Sequence, residues 1–172
     1  MTSYRQAVEK CKNFAQILNV LPKPFLFYGT VGTGKTFLTN CIAKECIEQG
    51  CSVLYFSAAS LSTYSPGTRL TIGHGRLALC ADLYSCDLLV IDDLGTETAT
   101  AVTLSHFFTC LNERLLRQKS VIISTNLSPE DCRNRYQDRI FSRIASNFEF
   151  CKLTGPDIRM CKKVSAVSGP VR

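Results

Sequence analysis

The chain has 172 residues, 45% of them hydrophobic and 20% charged, and its formal net charge is +6. This composition is typical of one soluble globular domain, and a membrane-spanning protein is excluded because no apolar run approaches the roughly 20 residues of a membrane helix. The N-terminal residues 1–14 are amphipathic and lack the apolar stretch of a secretory signal, so we expect a cytoplasmic protein without a membrane partner. The positive charge permits an anionic partner such as nucleic acid.

Predicted strands and helices alternate along the chain. Residues 3–20 have the apolar spacing of an amphipathic helix, and the proline-containing residues 21–24 end it. Further strands are predicted at residues 25–29, 52–57, 87–95, 120–126 and 147–153, and further helices at 35–49, at 102–117 and from the Ser-Pro-Glu-Asp stretch at 128–131. Between them, residues 58–75 are predicted to be a loop and residues 76–85 a short helix.

This alternation predicts an α/β fold with a parallel five-stranded sheet between helices. Ligands of such sheets bind at the carboxyl ends of the strands, so the residues that follow each strand are the candidates for a functional site. Ten cysteines do not change this picture, since no pair has C-x-x-C spacing and no zinc pattern is present. We expect them to be reduced thiols that pack in the core.

The stretch GTVGTGKT, residues 29–36, fits the phosphate-loop pattern of P-loop NTPases and stands between a predicted strand and a predicted helix. Its glycines allow a tight turn whose amides can face phosphate oxygens, and the helix adds its positive end. Lys35 is expected to reach the β- and γ-phosphates of ATP, and Thr36 to hold Mg²⁺. The predicted nucleotide-binding residues are Gly29, Thr30, Val31, Gly32, Thr33, Gly34, Lys35, Thr36 and Phe37.

Two later strands end in side chains that suit hydrolysis. The run LLVIDD, residues 88–93, predicts a buried strand that ends in two carboxylates. We expect Asp92 to bind the magnesium through water, and Asp93 to orient and deprotonate the attacking water. Asn126 ends the next strand, where it would hydrogen-bond the γ-phosphate or the water, or else serve only as a turn residue.

Four stretches, GTVGTGKTFLTNCIAKE, LLVIDDLGTE, VIISTNLSPE and DRIFSRI, occur in this order. Together they resemble the AAA+ ATPase domain of bacterial replicative helicase loaders of the DnaC/DnaI type, to which the transposition helper IstB is related. The resemblance covers roughly residues 5–163. It implies an AAA+ core, divided here into an N-terminal helix and linker (1–24), the ATPase core (25–163) and a C-terminal tail (164–172).

The resemblance also implies roles for single residues. Asn126 matches the sensor-1 asparagine, and Arg143 matches an arginine finger that reaches the ATP of a neighbouring copy, which makes the protein a homo-oligomer. Arg159 matches a late, sensor-2-like arginine that binds nucleotide. Arg139 supports the finger or pairs with an acid.

Three departures from the family pattern bear on these expectations. Asp93 stands where many AAA+ proteins have glutamate, so we expect slow turnover. Too few residues follow the last strand for the C-terminal lid domain of most AAA+ proteins, and few precede the first core strand, where loaders have a region that docks on the helicase. The chain is therefore expected to be an excised ATPase domain or a stand-alone version with another docking partner.

The resulting hypothesis is a slow, oligomer-dependent ATPase that acts as a helicase loader, with a replicative helicase and single-stranded DNA as partners. The segment of residues 58–81 contains Arg69, His74 and Arg76 and no acid, so it is the candidate DNA surface, with a functionless surface loop as the alternative. Other readings are a transposition helper, a P-loop small-molecule kinase, and an adaptor that binds ATP and hardly hydrolyses it.

Overall fold

The computed structural model of the protein describes residues 24–63, 70–72, 76–78 and 80–157. The helix predicted over residues 3–20, the predicted tail (164–172), Arg159 and the candidate DNA-binding residues Arg69 and His74 lie outside these ranges. Within them, no helix has the length and apolar character needed to cross a membrane.

Seven strands and four α-helices make up the described part of the chain. The strands are β1 (Phe25–Tyr28), β2 (Val53–Ser57), β3 (Leu70–Ile72), β4 (Arg76–Ala78), β5 (Leu88–Leu94), β6 (Ser120–Thr125) and β7 (Glu149–Lys152). The helices are α1 (Lys35–Glu48), α2 (Cys80–Ser85), α3 (Ala101–Leu116) and α4 (Pro129–Asn147), and a 3₁₀ helix (Ala58–Thr63) follows β2.

Five of the strands form one sheet in the order β2-β5-β6-β1-β7, and every neighbouring pair is parallel. The predicted five-stranded parallel sheet is therefore confirmed. Because all five strands run in the same direction, the loop after β1 and the ends of β5 and β6 lie at one edge of the sheet.

The sheet is covered on both faces, as its uninterrupted apolar strands predict. Alternate residues of β5 point to opposite sides: Leu89 and Ile91 pack in the core shared with α3 and α4, and Leu88 and Val90 pack in the core shared with α1. Five of the seven cysteines whose side chains the structure describes are buried, which agrees with their expected packing role: Cys46, Cys86, Cys110, Cys132 and Cys151.

The start of α4 follows the sequence prediction closely. Ser128 caps the helix by accepting a hydrogen bond from the Asp131 amide, and the Asp131 carboxylate accepts one from the Ser128 amide in return. Pro129 occupies the first turn, where it costs no helical hydrogen bond. The helix is thus fixed at its beginning by local chemistry.

The prediction for residues 58–85 was wrong in part. The supposed loop contains the 3₁₀ helix and the strand β3, and residues 76–78 form strand β4, which pairs with β3 in antiparallel fashion. Of the predicted helix at 76–85, the described residues that are helical are Cys80–Ser85. Three-residue strands are too short to show the alternating pattern by which strands are recognised in a sequence, and their pairing with each other stabilises them.

Candidate functional site

The phosphate loop lies between the end of β1 and the start of α1. Gly34, directly before α1, has a φ angle of 91°, which side chains other than glycine rarely adopt. Gly29 meets the chain that leaves β7, since a Cβ atom there would lie 2.1 Å from the carbonyl oxygen of Leu153. The glycine pattern is therefore required by both the turn and the packing around it.

The ammonium group of Lys35 is buried within the phosphate loop. Lys35 is only 5% exposed, and its Nζ donates to the carbonyl oxygens of Gly29 and Thr30, each at 2.7 Å. Thr33 Oγ1 donates to the same Thr30 carbonyl at 2.9 Å. A buried ammonium at the N-terminus of a helix favours an anionic ligand such as a phosphate group.

Asp92 is the point where three elements meet. Its carboxylate is buried, and Oδ1 accepts hydrogen bonds from Thr36 Oγ1 in α1, at 3.3 Å, and from Ser124 Oγ in β6. Hydroxyl and carboxylate oxygens are ligands that Mg²⁺ prefers, and it commonly binds through one or two carboxylates together with phosphate oxygens. The oxygens of Thr36 and Asp92 therefore fit the magnesium that the sequence predicts.

Asp93 has a different environment from its neighbour. The register between β5 and β6 shifts between Ile91 and Leu94, and Asp93 has a φ angle of 55° within this irregularity. Its amide donates to Ser124 Oγ at 3.0 Å. A bulge re-aims a side chain, and here Asp93 is half-buried while Asp92 is buried, so the two carboxylates are suited to different tasks.

A further polar contact holds α1 against the sheet. Thr39 Oγ1 lies 3.1 Å from the Tyr55 hydroxyl of β2 and donates to the carbonyl oxygen of Thr36 at 3.0 Å. Burial raises the pKa of Tyr55; the hydrogen bond with Thr39 lowers it in part, and the Asp92 carboxylate raises it further. The phenol is therefore neutral at physiological pH and remains a hydrogen-bond donor beside Asp92.

The remaining predicted residues are placed as follows. Asn126 is exposed directly after β6, at the sheet edge that also holds Asp92. Arg143 is exposed on α4, and its side chain has no hydrogen bond or ion pair with any described residue. Arg139 pairs with no acid in the part of the chain that the structure describes; its guanidinium carbon lies 3.9 Å from the ring centre of Phe108, which packs it onto α3.

Sequence reasoning missed Ser124 and Tyr55. Ser124 contacts both acids, and the only signal for it was a serine at the end of an apolar strand. Tyr55 lies in β2, whose side chains show no motif, and only the pairing of β2 with β5 brings it near Asp92. Both residues act through contacts distant in sequence, which no local pattern reveals.

Comparison with known proteins gives one family and several relatives. Residues 19–164 match the family described as IstB-like ATP binding protein. The chain is 30% identical over 146 residues to the chromosomal replication initiator protein DnaA of Aquifex aeolicus, covering 84% of this chain and 35% of that protein. It is 26% identical over 138 residues to the replicative helicase loader DnaC of Escherichia coli (strain K12), covering 80% and 56% respectively. The chain thus spans only part of the length of these relatives.

The fold has counterparts among solved structures. The structure of AMPPCP-bound DnaA from Aquifex aeolicus matches with a TM-score of 0.72 and 27% identity, covering 98% of this chain and 53% of that one. This likeness, together with the strand order, confirms the prediction of an AAA+ core with a five-stranded parallel sheet.

Proposed function

The chain belongs to the family of IstB-like ATP binding proteins, and from this membership we propose that it hydrolyses ATP and helps to load a replicative helicase onto DNA. The observation that carries the proposal is the set of hydrogen bonds that joins Thr36, Asp92, Ser124 and Asp93. These bonds support different roles for the two carboxylates: Asp92, beside the phosphate loop, would be a metal ligand, and Asp93, the next residue, would serve the attacking water.

Binding of the nucleotide depends on the phosphate loop. Lys35, which in this structure donates to two carbonyl oxygens of the loop, would donate to the β- and γ-phosphates. Thr36 and Asp92 would hold the magnesium, Asp92 through a water molecule. When bound, the metal would supply positive charge that neutralises the charge developing on the phosphate oxygens.

Hydrolysis needs a base and an orienting group for the water. Asp93 would accept the proton of the attacking water, because its bulged backbone turns it away from the buried position of Asp92. Asn126, exposed at the end of the adjacent strand, would hydrogen-bond the γ-phosphate or the water. An aspartate reaches less far than the glutamate common in this class, so we expect slow turnover.

The site is completed by a second copy of the chain. Arg143 is an exposed cation without an acidic partner among the described residues, which suits a residue that inserts into another subunit. An arginine finger contributes roughly 10³–10⁵ in rate, so hydrolysis would be negligible in the monomer. ATP binding would assemble the subunits, and hydrolysis would release them.

The partners follow from the relatives and from the charge. The relative DnaC is named a replicative helicase loader, and the net charge of +6 suits a nucleic acid partner. Single-stranded DNA is proposed to contact the segment of residues 58–81 through Arg69 and Arg76. A second candidate function, that of a transposition helper, is favoured by the IstB-like family description itself.

The experiment that tests the proposal mixes two inactive variants. Lys35→Ala should lose ATP binding and keep its finger, and Arg143→Ala should bind ATP and lack the finger. Each alone should release almost no phosphate, whereas the mixture should recover activity, and the rate per chain of the parent protein should rise with protein concentration. Adding single-stranded DNA, with and without replicative helicase, tests the partners in the same assay.

Several outcomes would contradict the proposal. A parent rate independent of concentration, or a mixture as inactive as its components, would reduce Arg143 to a surface charge. Transfer of phosphate to a nucleoside or sugar acceptor instead of to water would identify a kinase. Stimulation by DNA without any effect of helicase would favour the transposition helper.

A further inference from the structure

A buried carboxylate that has no part in the proposed chemistry lies between Asp93 and the helix that carries Arg143. Glu97 is 3% exposed. Its Oε2 accepts a hydrogen bond from the Gly95 amide at 2.8 Å, and its Oε1 accepts one from the Tyr136 hydroxyl at 2.5 Å. Burying a carboxylate is costly unless its oxygens are well bonded, so these contacts define where Glu97 can lie.

On one side, Glu97 belongs to the turn that starts at Asp93. The Asp93 carbonyl oxygen accepts hydrogen bonds from the Thr96 amide at 3.2 Å and from Thr96 Oγ1 at 2.8 Å. Gly95, within this turn, packs so closely on Leu127 that a Cβ atom would lie 2.8 Å from Leu127 Cδ1. A displacement of Glu97 would therefore also displace the backbone of Asp93.

On the other side, Glu97 is held by two consecutive residues of α4. Arg135 Nη2 donates to the Glu97 carbonyl oxygen at 2.5 Å, and Arg135 Nε donates to Glu97 Oε1 at 3.4 Å. Tyr136 is 1% exposed, and its ring centre lies 5.5 Å from that of Phe107. Burial raises the pKa of Tyr136, and the bond and charge of Glu97 raise it further, so the hydroxyl keeps its proton.

The backbone leaves the helical conformation at the next residue. Gln137 has φ 63° and ψ 159°, a conformation in which residues other than glycine are strained and persist only where their surroundings enforce it. The second part of α4, which carries Arg143 and is packed onto Phe108 through Arg139, therefore starts from a bend adjacent to the bond between Tyr136 and Glu97.

From this arrangement we infer that Glu97, Arg135 and Tyr136 form a positioning link that sets the placement of Arg143 relative to the turn of Asp93. The inference rests on the proposed function, in which Arg143 of one copy completes the ATP site of a neighbouring copy; we call this arrangement the shared site. Its consequence is that Asp93 and Arg143 of the same subunit move together. Hydrolysis in one subunit would therefore change the position of the Arg143 that acts on the ATP of its neighbour.

The link is tested with variants that separate the two halves of the shared site. The acceptor is Arg143→Ala, which hydrolyses ATP only with a finger from a partner, and the donor is Lys35→Ala, which supplies a finger and binds no ATP. The donor is compared with a second donor that also carries Tyr136→Phe. A donor with Phe107→Leu is the matched control, because it disturbs the same core cluster and keeps the Tyr136 hydroxyl.

With saturating donor, Tyr136→Phe should lower kcat by about tenfold or more, since a misplaced catalytic group is costly even when the displacement is small. The KM for ATP should not change, because ATP binds to the phosphate loop of the acceptor, which is the same in every mixture. The Phe107→Leu donor should melt at a lower temperature and keep kcat within about twofold. Sedimentation should give the same assembly size for all three donors, which would show that a lower kcat is not caused by weaker assembly.

The outcomes separate the two proposals. Equal kcat with the Tyr136→Phe donor and the unmodified donor would overturn the link while leaving the shared site intact. No rescue by the unmodified donor would refute the shared site, and the link with it. If the Tyr136→Phe donor is unfolded at the assay temperature, Arg135→Ala takes its place with the same expectation, because it removes two bonds to Glu97 from a partly exposed side chain.

Discussion

Two adjacent aspartates show how far identical side chains diverge when their surroundings differ. Asp92 is buried and accepts hydrogen bonds from Thr36 and Ser124. Asp93 lies at the bulge and has a φ angle of 55°. Its hydrogen bond with Ser124 is donated by the backbone amide and does not involve the carboxylate. At the residue scale, the division of labour that we propose between a metal ligand and a base would therefore come from the backbone and from Ser124.

This division predicts opposite defects for two variants. Asp93→Asn should keep ATP and magnesium affinity and lower the hydrolysis rate by about 10²–10⁴, because the amide keeps the shape and removes the base. Asp92→Asn, the matched control, should raise the magnesium concentration needed for half-maximal nucleotide binding. Titration of labelled ATP at several magnesium concentrations, beside a phosphate-release assay, distinguishes them. Parental turnover in Asp93→Asn would assign the base to another residue.

At the scale of elements, α1 and α3 end in the same way with different residues. Each helix is closed by a pair of backbone hydrogen bonds, from Gly50 and Cys51 to Ile47 and Cys46 in α1, and from Gln118 and Lys119 to Leu115 and Arg114 in α3. In both motifs the residue after the cap has a positive φ angle, 83° at Gly50 and 53° at Gln118. Only glycine adopts this conformation without strain.

Substitution at these two caps should change stability in opposite directions. Gln118→Gly should raise the free energy of unfolding by about 0.5–1 kcal/mol, because relief of strain exceeds the entropy that glycine adds to the unfolded chain. Gly50→Ala should lower it by about 1 kcal/mol through backbone strain alone, since a Cβ there meets no atom within 4 Å. Urea unfolding followed by circular dichroism measures both, and a destabilised Gln118→Gly would contradict the account.

At the scale of the whole molecule, the two edges of the sheet have separate tasks. The carboxyl edge holds the phosphate loop and both aspartates, and the opposite edge is fastened by polar contacts. There Asp87 accepts hydrogen bonds from the amide and hydroxyl of Ser52 and from Lys119 Nζ, which ties the starts of β2, β5 and β6 together. The polar contacts that join these three strands and the proposed nucleotide site thus lie at opposite edges of the sheet.

The hydrogen bonds that Asp87 accepts from Ser52 and Lys119 predict that the stability of the protein depends on pH. Hydrogen bonds from Ser52 and Lys119 hold the pKa of Asp87 well below its usual range. A carboxyl group with a lowered pKa in the folded state stabilises the protein above its unfolded pKa, near 4, and loses that contribution as the pH falls through the folded value. The melting temperatures of the parent protein and Asp87→Asn should therefore differ at pH 6 and converge toward pH 2.

A second variant checks the cause of this convergence. Ser52→Ala removes one hydrogen bond to the Asp87 carboxylate and also the bond that the Asp87 amide donates to Ser52 Oγ. Because only the first of these depends on the charge of Asp87, the pH-dependent part of its difference from the parent should be smaller than that of Asp87→Asn and should narrow over the same range. A constant difference between parent and Asp87→Asn from pH 6 to pH 2 would mean that the charge of Asp87 does not contribute to stability.

The local parts of the site were predictable because their signals are contiguous. The phosphate loop, the strand that contains Asp92 and the capped start of α4 each depend on a few neighbouring residues, whose backbone requirements can be read in order. The β3–β4 hairpin was not predicted, since strands of three residues show no period. The bend at Gln137 was not predicted either, because no glycine or proline near it in the sequence indicates an interruption of the helix.

The amino-acid sequence by itself determined the α/β class, the order of the strands along the chain, and the loop that is proposed to bind phosphate, since periodicity and turn chemistry act over a few residues. Only the tertiary structure decided which polar groups meet. Ser124 reaches Asp92 across 32 residues, and Tyr136 reaches Glu97 across 39. Such contacts depend on how strands pair and helices pack, and buried polar groups must find partners wherever the fold places them.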